Sequence, residues 1–424
     1  MKNTLLLGVW LASFHILVST SGYVYANPEN FAPTIQHQPI LIEGDAEFAS
    51  TASAFSWPGN GSAENPYIIE NYEISGQAGY CIYIKNTTCH FVIRSCTLYN
   101  ASHGSGVELE NVTNGVLENI TINSTYYGII IFKCSSCKIS NCDISEAYFG
   151  IYISACENGT ILVENSTVSG CTQGIISYGN SALTISGNTI SSCDYGIYCR
   201  VVVHNKIINN TVCGVNFTGI YFCYATENNL TGNNIRNTLI SGIELNLCEN
   251  ISIRDNIIQY AGSGITLNLT SNSTISNNNI SSSYAYGLLL YNNSTQNIVT
   301  NNVFIKNMLY AINLTDNSTG NVVHHNGFYN NSEKLKGISS NCQAYDSVGG
   351  NIWYDISTQQ GNYWSNWDGN GWGTANAYPI DGGKASDWYP LSTPVYEFFD
   401  LSLFVIAFAI STIVLCFATK KLSI

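Results

Sequence analysis

Through the middle of the chain, apolar and polar positions alternate with a period of two, and the pattern restarts every 22 to 24 residues. A glycine marks the restarts at 106, 128, 150, 174, 196, 219, 242, 264 and 287, and Cys81 and Ala311 take its place in the flanking repeats. One residue later stand Ile82, Val107, Ile129, Ile151, Ile175, Ile197, Ile220, Ile243, Ile265, Leu288 and Ile312. Three residues later stand Ile84, Leu109, Ile131, Ile153, Ser177, Cys199, Phe222, Leu245, Leu267, Leu290 and Leu314. Alternate residues of a strand share a face, so both columns point inward and the residue between them points outward. Short strands, turns every six to eight residues and this repeat length predict an all-β, single-domain parallel β-helix of about eleven coils over residues 79–330. At one strand spacing per coil the rod is roughly 50 Å long. A leucine-rich horseshoe shares the period, but its leucine-asparagine spacing and helical segments are missing.

A second column runs in phase at the turn after the second strand: Asn188, Asn210, Asn233, Asn256, Asn278, Asn302 and Asn326. Amides stacked one strand apart can hydrogen-bond along the rod, so this column is expected to be a structural ladder. Open coils need covered ends. At the N-terminal end, residues 27–78 supply the cap, with Asp45 expected to N-cap a short helix whose Phe48, Ala52 and Phe55 share a face. At the other end, residues 331–395 carry five of the seven tryptophans, at 353, 364, 367, 372 and 388.

The termini point to export. Lys2, the apolar run from Leu5 to Val18, and Val24 and Ala26 ahead of Asn27 read as a signal peptide over residues 1–26. Leu401 to Thr419 is uncharged and flanked by Asp400, Lys420 and Lys421, the pattern of a membrane-spanning helix with residues 420–424 as a cytoplasmic tail. The β-helix is then expected outside the cell, anchored to the membrane. About twenty Asn-x-Ser/Thr triplets, among them Asn60, Asn86, Asn158, Asn216, Asn268 and Asn313, fit a glycosylated surface, although asparagine-rich repeats also generate such triplets. Charged residues make up only 10% of the chain and the net charge is −13, which argues against a nucleic-acid partner.

Two further segments carry a family likeness. Gly61-Ser-Ala-Glu-Asn-Pro-Tyr-Ile-Ile-Glu70 precedes the repeats, and Gly361-Asn-Tyr-Trp-Ser365 and Asp387-Trp-Tyr-Pro-Leu391 follow them. With the repeats, they resemble right-handed β-helix proteins of the periplasmic copper-binding NosD type, a family sharing its repeats with carbohydrate-binding and sugar-hydrolysing β-helices. The resemblance spans residues 38 to 392 and implies a right-handed helix in a secreted or surface protein. Its copper label does not carry over: Met308 is the one internal methionine, and the ectodomain histidines are scattered except for His324 and His325, expected as surface residues of a turn. In the family, an Asp-rich loop often follows the Gly-Asn-Tyr-Trp-Ser segment. Here Asp368, Asn370 and Asp381 are candidate calcium ligands, with a plain glycine-rich turn as the alternative. No cofactor is otherwise expected.

Chemistry is sparse. The paired elements of polyuronide hydrolases and the acidic clusters of lyases are missing. Glu108 and Glu110 lie outward on one strand, about 7 Å apart by strand geometry, a separation that suits an inverting glycosidase, and His103 lies just before them. Surface glutamates without a catalytic task are the plainer reading. The outward column offers a binding face of Tyr83, Ile130, Tyr152, Ile176, Tyr198, Tyr221, Glu244 and Thr266, with Phe132, Tyr178 and Tyr291 two residues on. Such a row can stack on sugar rings, dock a cell-surface protein, or simply stabilise the rod. Among the fifteen cysteines, Cys134 with Cys156 and Cys171 with Cys193 occupy matching places in adjacent coils, within disulfide reach; buried free thiols are the alternative. The expected function is therefore binding of a polysaccharide or a surface partner, with a polysaccharide-active enzyme and a non-catalytic spacer as alternatives.

Overall fold

The computed structural model describes residues 35–77, 79–156, 159–332, 342–367 and 376–394. The expected signal peptide and the Leu401–Thr419 span lie outside these residues. Among the described residues no helix is long and apolar enough to cross a membrane.

Each coil contributes three strands, and each strand pairs in parallel with its counterparts in the coils before and after. The first row holds the glycine-led strands, such as Tyr127–Phe132, Phe149–Ser154, Gln173–Tyr178, Tyr195–Arg200 and Thr218–Cys223. The second holds Lys138–Ser140, Leu162–Glu164, Thr184–Ser186 and Lys206–Ile208. The third holds Asp143–Ser145, Thr167–Ser169 and Thr189–Ser191. Eleven first-row segments run from Ile82 to Leu314, as the sequence period implies.

The two inward columns read from the sequence have no measurable solvent exposure in any coil. The glycine column has a steric cause. A Cβ on Gly128 would lie 2.4 Å from the carbonyl oxygen of Gly150 in the next coil and 2.6 Å from Ile144. Corners between rows are sharp and left-handed, and Asn often occupies them, as at Asn209, Asn277 and Asn301.

The sheet extends beyond the expected coil boundaries. Ile40–Glu43 pairs with Ile82–Lys85, and Tyr67–Glu70 pairs with Phe91–Arg94, so the N-terminal segment already forms a coil. The helix Gly44–Phe55 covers its end, with Phe48 and Ala52 buried but Phe55 exposed. Asp45 does not N-cap it. Glu43 holds that position, and the Asp45 carboxylate instead accepts hydrogen bonds from Thr87 Oγ1 (2.6 Å) and from the backbone N–H and hydroxyl of Thr88 (both 2.8 Å). The helix is thereby tied to the next coil.

At the C-terminal end Ala344–Asp346 and Tyr363–Trp364 continue the first and third rows. Trp364 is buried between Phe328 (4.1 Å between ring centres) and Tyr378 (3.9 Å), and Trp353 lies beside it. Trp388 is exposed, and Trp372 is outside the described residues.

The asparagine column forms a continuous hydrogen-bonded ladder. Each Nδ2 donates to the Oδ1 of the next coil's asparagine at 2.9 to 3.1 Å, from Asn188 to Asn326. Asn326 passes the chain to Asn362, whose N–H and Nδ2 meet the Asp387 carboxylate at 2.8 and 3.4 Å. A second column, Asn297 to Asn321 to Asn351, ends on Asp346 in the same manner. In both, a tryptophan indole also donates to the terminal carboxylate: Trp364 to Asp387 at 2.9 Å and Trp353 to Asp346 at 3.3 Å.

Candidate functional site

The first row presents the outer face on which the expected residues lie. Flat parallel strands stack one coil above another, so side chains at equivalent positions form columns, and rings in adjacent coils meet. Tyr198 and Tyr221 are register partners, stacked at 5.0 Å. Tyr195 packs edge-on to Tyr198 at 5.6 Å and against Phe217 at 5.3 Å. Glu244 follows Tyr221 in the column, half-buried, and accepts a hydrogen bond from Thr218 Oγ1 at 3.1 Å. Burial pushes its carboxyl up from the usual range, against the lowering effect of that bond. On the flank, the Arg200 guanidinium lies 6.0 Å from the ring centres of both Tyr178 and Tyr224.

A second group sits lower on the rod. Tyr126 stacks on Tyr148 and Tyr127 on Phe149, each at 5.0 Å, with Tyr152 edge-on to Tyr127 at 5.7 Å. Phe132 lies two residues on, under the ammonium of Lys133 at 4.8 Å. Tyr83 stands apart with Tyr80 at 5.5 Å. The expected face is thus not one continuous row. Ile176 and Thr266, expected outward and open, are buried, and Thr266 is hydrogen-bonded to Ser241 at 2.9 Å. Tyr291 is separated from Tyr221 by the rungs of Asn246 and Asn268.

The rings at 126, 127, 148, 149, 195 and 217 were missed by reading only positions after the glycine. Those at 127, 149 and 195 immediately precede one, so the signal was present in the repeat itself.

Glu108 and Glu110 share their strand as expected. Glu108 is half-buried, accepts from Ser105 Oγ at 3.1 Å, and is raised from the usual carboxylate range chiefly by burial. Glu110 accepts a hydrogen bond from the Tyr83 hydroxyl. His103 lies exposed on the preceding turn, and no hydrogen bond among the described residues joins it to either glutamate.

All fourteen described cysteines, including Cys134, Cys156, Cys171 and Cys193, are free thiols. Cys171 and Cys193 do meet, side chain to side chain, whereas Cys134 meets Cys137 in that way. Of the calcium candidates, Asp368 and Asn370 lie outside the described residues. Asp381 accepts from the Tyr310 hydroxyl at 3.0 Å.

Comparison with known proteins agrees with this architecture. A family model described as periplasmic copper-binding protein (NosD) matches residues 89–258, and one described as right handed beta helix region matches residues 195–354. The chain is a right-handed β-helix repeat protein of the NosD type. No curated protein matches it. Among solved structures, this NosD-type chain is similar to the A-modules of two mannuronan C-5 epimerases of Azotobacter vinelandii. For AlgE6 the identity is 13%, covering 73% of this chain and 95% of that one, with a TM-score of 0.42. For AlgE4 the identity is 14%, covering 70% and 84%, with a TM-score of 0.46. It is also similar to PfbA, a surface adhesin of Streptococcus pneumoniae, at 13% identity over 62% of this chain and 78% of that one, with a TM-score of 0.38.

Proposed function

We propose that this NosD-type protein is exported and binds carbohydrate through the first-row outer face at Tyr195, Tyr198, Tyr221 and Glu244. The observation that carries this reading is the stacked Tyr198–Tyr221 pair, continued along the same column by a half-buried carboxylate. Rings fixed by stacking offer an apolar platform to the C–H faces of a sugar at little entropic cost, and tyrosine hydroxyls with a carboxylate fix sugar hydroxyls by hydrogen bonds. The platform runs along the rod axis, which suits an extended chain rather than a single small molecule. Export is supported by the periplasmic description of the matching family and by the N-terminal pattern; the Leu401–Thr419 segment is proposed as the anchor.

The test is a polysaccharide panel incubated with the purified chain, reading retention and release of new sugar ends from the same wells. Retention that falls about tenfold or more in Tyr198→Ala and Glu244→Gln, with the fold intact, is the expected result. Retention unchanged in both variants would remove the platform from the binding account.

One observation favours a second reading, a polysaccharide-active enzyme. Burial holds Glu108 toward its protonated form while Glu110 is hydrogen-bonded to Tyr83, the kind of division of labour that a glycosidase acid and base require. Release of sugar ends by the parent protein but not by Glu108→Gln would support it. A panel that shows neither retention nor release leaves the spacer reading in front.

A further inference from the structure

His324 closes the strand Val322–His324, and in an extended chain the next residue would face the opposite side. It does not, because His325 sits at the corner of the coil with φ of 55°. The left-handed turn swings its imidazole back, so that the Nδ1 atoms of the two rings face each other, with ring centres 4.8 Å apart. In the two preceding coils the same corner is held by Asn277 and Asn301.

The next stretch of chain folds over this pair. Ile352 adds to Val322 at the end of the second row, and Asp355 and Gln360 bridge each other in a short antiparallel hairpin. The hairpin delivers two groups. Asp355 brings a carboxylate, so that donor atoms of His324, His325 and Asp355 all lie within 4.8 Å of one another, partly buried. Gln360 brings its Oε1 to 2.7 Å from His325 Nε2. An amide oxygen only accepts, so Nε2 carries the proton and the lone pair of His325 lies on Nδ1, facing the cluster. That is how metal-binding imidazoles are oriented by their outer partners. The Asp355 carboxylate is fixed in turn by the Ser357 N–H at 2.8 Å and hydroxyl at 2.7 Å, both on Oδ1. Thr300 Oγ1 lies 3.3 Å from His324 Nδ1.

We infer that His324, His325 and Asp355 bind one divalent transition ion of the zinc type, fastening the 355–360 hairpin onto the last coil. Two imidazoles and one carboxylate suit zinc and its neighbours, whereas calcium and magnesium want all-oxygen shells. Three protein ligands leave a position for water. These residues lie outside the segment 89–258 that the copper-binding family model matches, so that family match does not supply this site.

The experiment is titration of the chelator-treated, untagged full chain with Zn²⁺, and with Co²⁺ as a coloured substitute. One equivalent should bind, the cobalt form should show the intense visible bands of low coordination number, and excess Ca²⁺ should not compete. Zinc should also raise the thermal midpoint. His325→Asn keeps the residue type that serves this corner in the two preceding coils, and it should abolish the one-equivalent binding. Asp355→Asn should weaken binding about tenfold or more, and Gln360→Ala about 10- to 100-fold through the lost orientation of His325. No one-equivalent binding by the parent protein, or binding unchanged in both His325→Asn and Asp355→Asn, overturns the proposal. Should His325→Asn fail to fold, Asp355→Asn decides alone.

Discussion

Replacing Asn256 by alanine tests whether the amide ladder holds the coils together. Asn256 Oδ1 accepts from the backbone N–H and the Nδ2 of Asn233, both at 2.9 Å. Its own Nδ2 faces Leu230 O and Arg254 O at 3.0 Å and Asn278 Oδ1 at 2.9 Å. The side chain has 1% exposure, so water has no ready access to the groups left behind. Five contacts are lost, but the three donated ones share two hydrogens. At about 1 kcal/mol for each of four effective bonds, Asn256→Ala costs ~4 kcal/mol, and more where a donor stays unpaired. That is a large part of the ~5–15 kcal/mol that stabilises a typical domain. The control is Asn234→Ala, in the preceding coil one residue after Asn233 and only half-buried, which should stay within about 0.5 kcal/mol of the parent. Urea unfolding gives both values, and amide exchange shows where protection is lost. Contacts in a solenoid are with adjacent coils only, so exchange should rise first in the coils on either side of Asn256. Equal stability of the two variants, within about 1 kcal/mol, would refute the reasoning.

Other outcomes follow from the same geometry. Burial raises the Asp387 carboxyl from its ordinary 3.8 to about 6 despite four N–H contacts, so the folded form binds its proton more tightly than the unfolded form. Its contribution therefore favours folding as pH falls from about 7 to 4, by about 3 kcal/mol at most, and the parent should gain stability relative to Asp387→Asn over that window; a pH-independent difference between the two in thermal melts would contradict this. Asp45 behaves oppositely, since the bonds from Thr87 and Thr88 lower it to about 2, so its tie to the helix is present above its ordinary 3.8 and lost as pH falls toward 2. Helix-specific amide exchange should therefore rise in acid, and Asp45→Asn should remove that rise. Gly196→Ala places a Cβ 2.4 Å from Gly219 O and 2.5 Å from Val212 Cγ1, and calorimetry should show a loss of ~3 kcal/mol or more, or no folding.

The repeat was legible because one stretched backbone imposes the same demand on every coil. Inward apolar columns, the glycine at the tight contact and the asparagine at the second-to-third-row turn all recur with the coil period, so each confirms the others. The ends were less legible because they occur once. Asp45 sits where a helix N-cap would be expected, yet its partners at 87 and 88 are more than forty residues away. The carboxylates that finish the two ladders show no local spacing signal either, since Asp387 meets Asn362 and Trp364 through the fold alone. The outer face was read as one open row, and the structure breaks it: Ile176 and Thr266 are buried. Period-two alternation assigns Ile176 to the outer column, but it cannot tell that the residue is covered. His324 and His325 were visible as a pair; Asp355, thirty residues on and in a segment without repeat, was not.

Each of the two ladders has a direction, because from one amide to the next the bond is donated toward the C-terminal end of the rod. Any end of such a column is an unfinished surface: the last Nδ2 still offers hydrogens, and the strand beside it still offers backbone groups. A further coil, from this chain or from a neighbouring molecule, could be copied onto it. Asp346 and Asp387 end these two columns, since their carboxylate oxygens receive the final amide donors. The two buried aspartates thus close these two columns, so neither column ends on a bare amide at the C-terminal end of the rod.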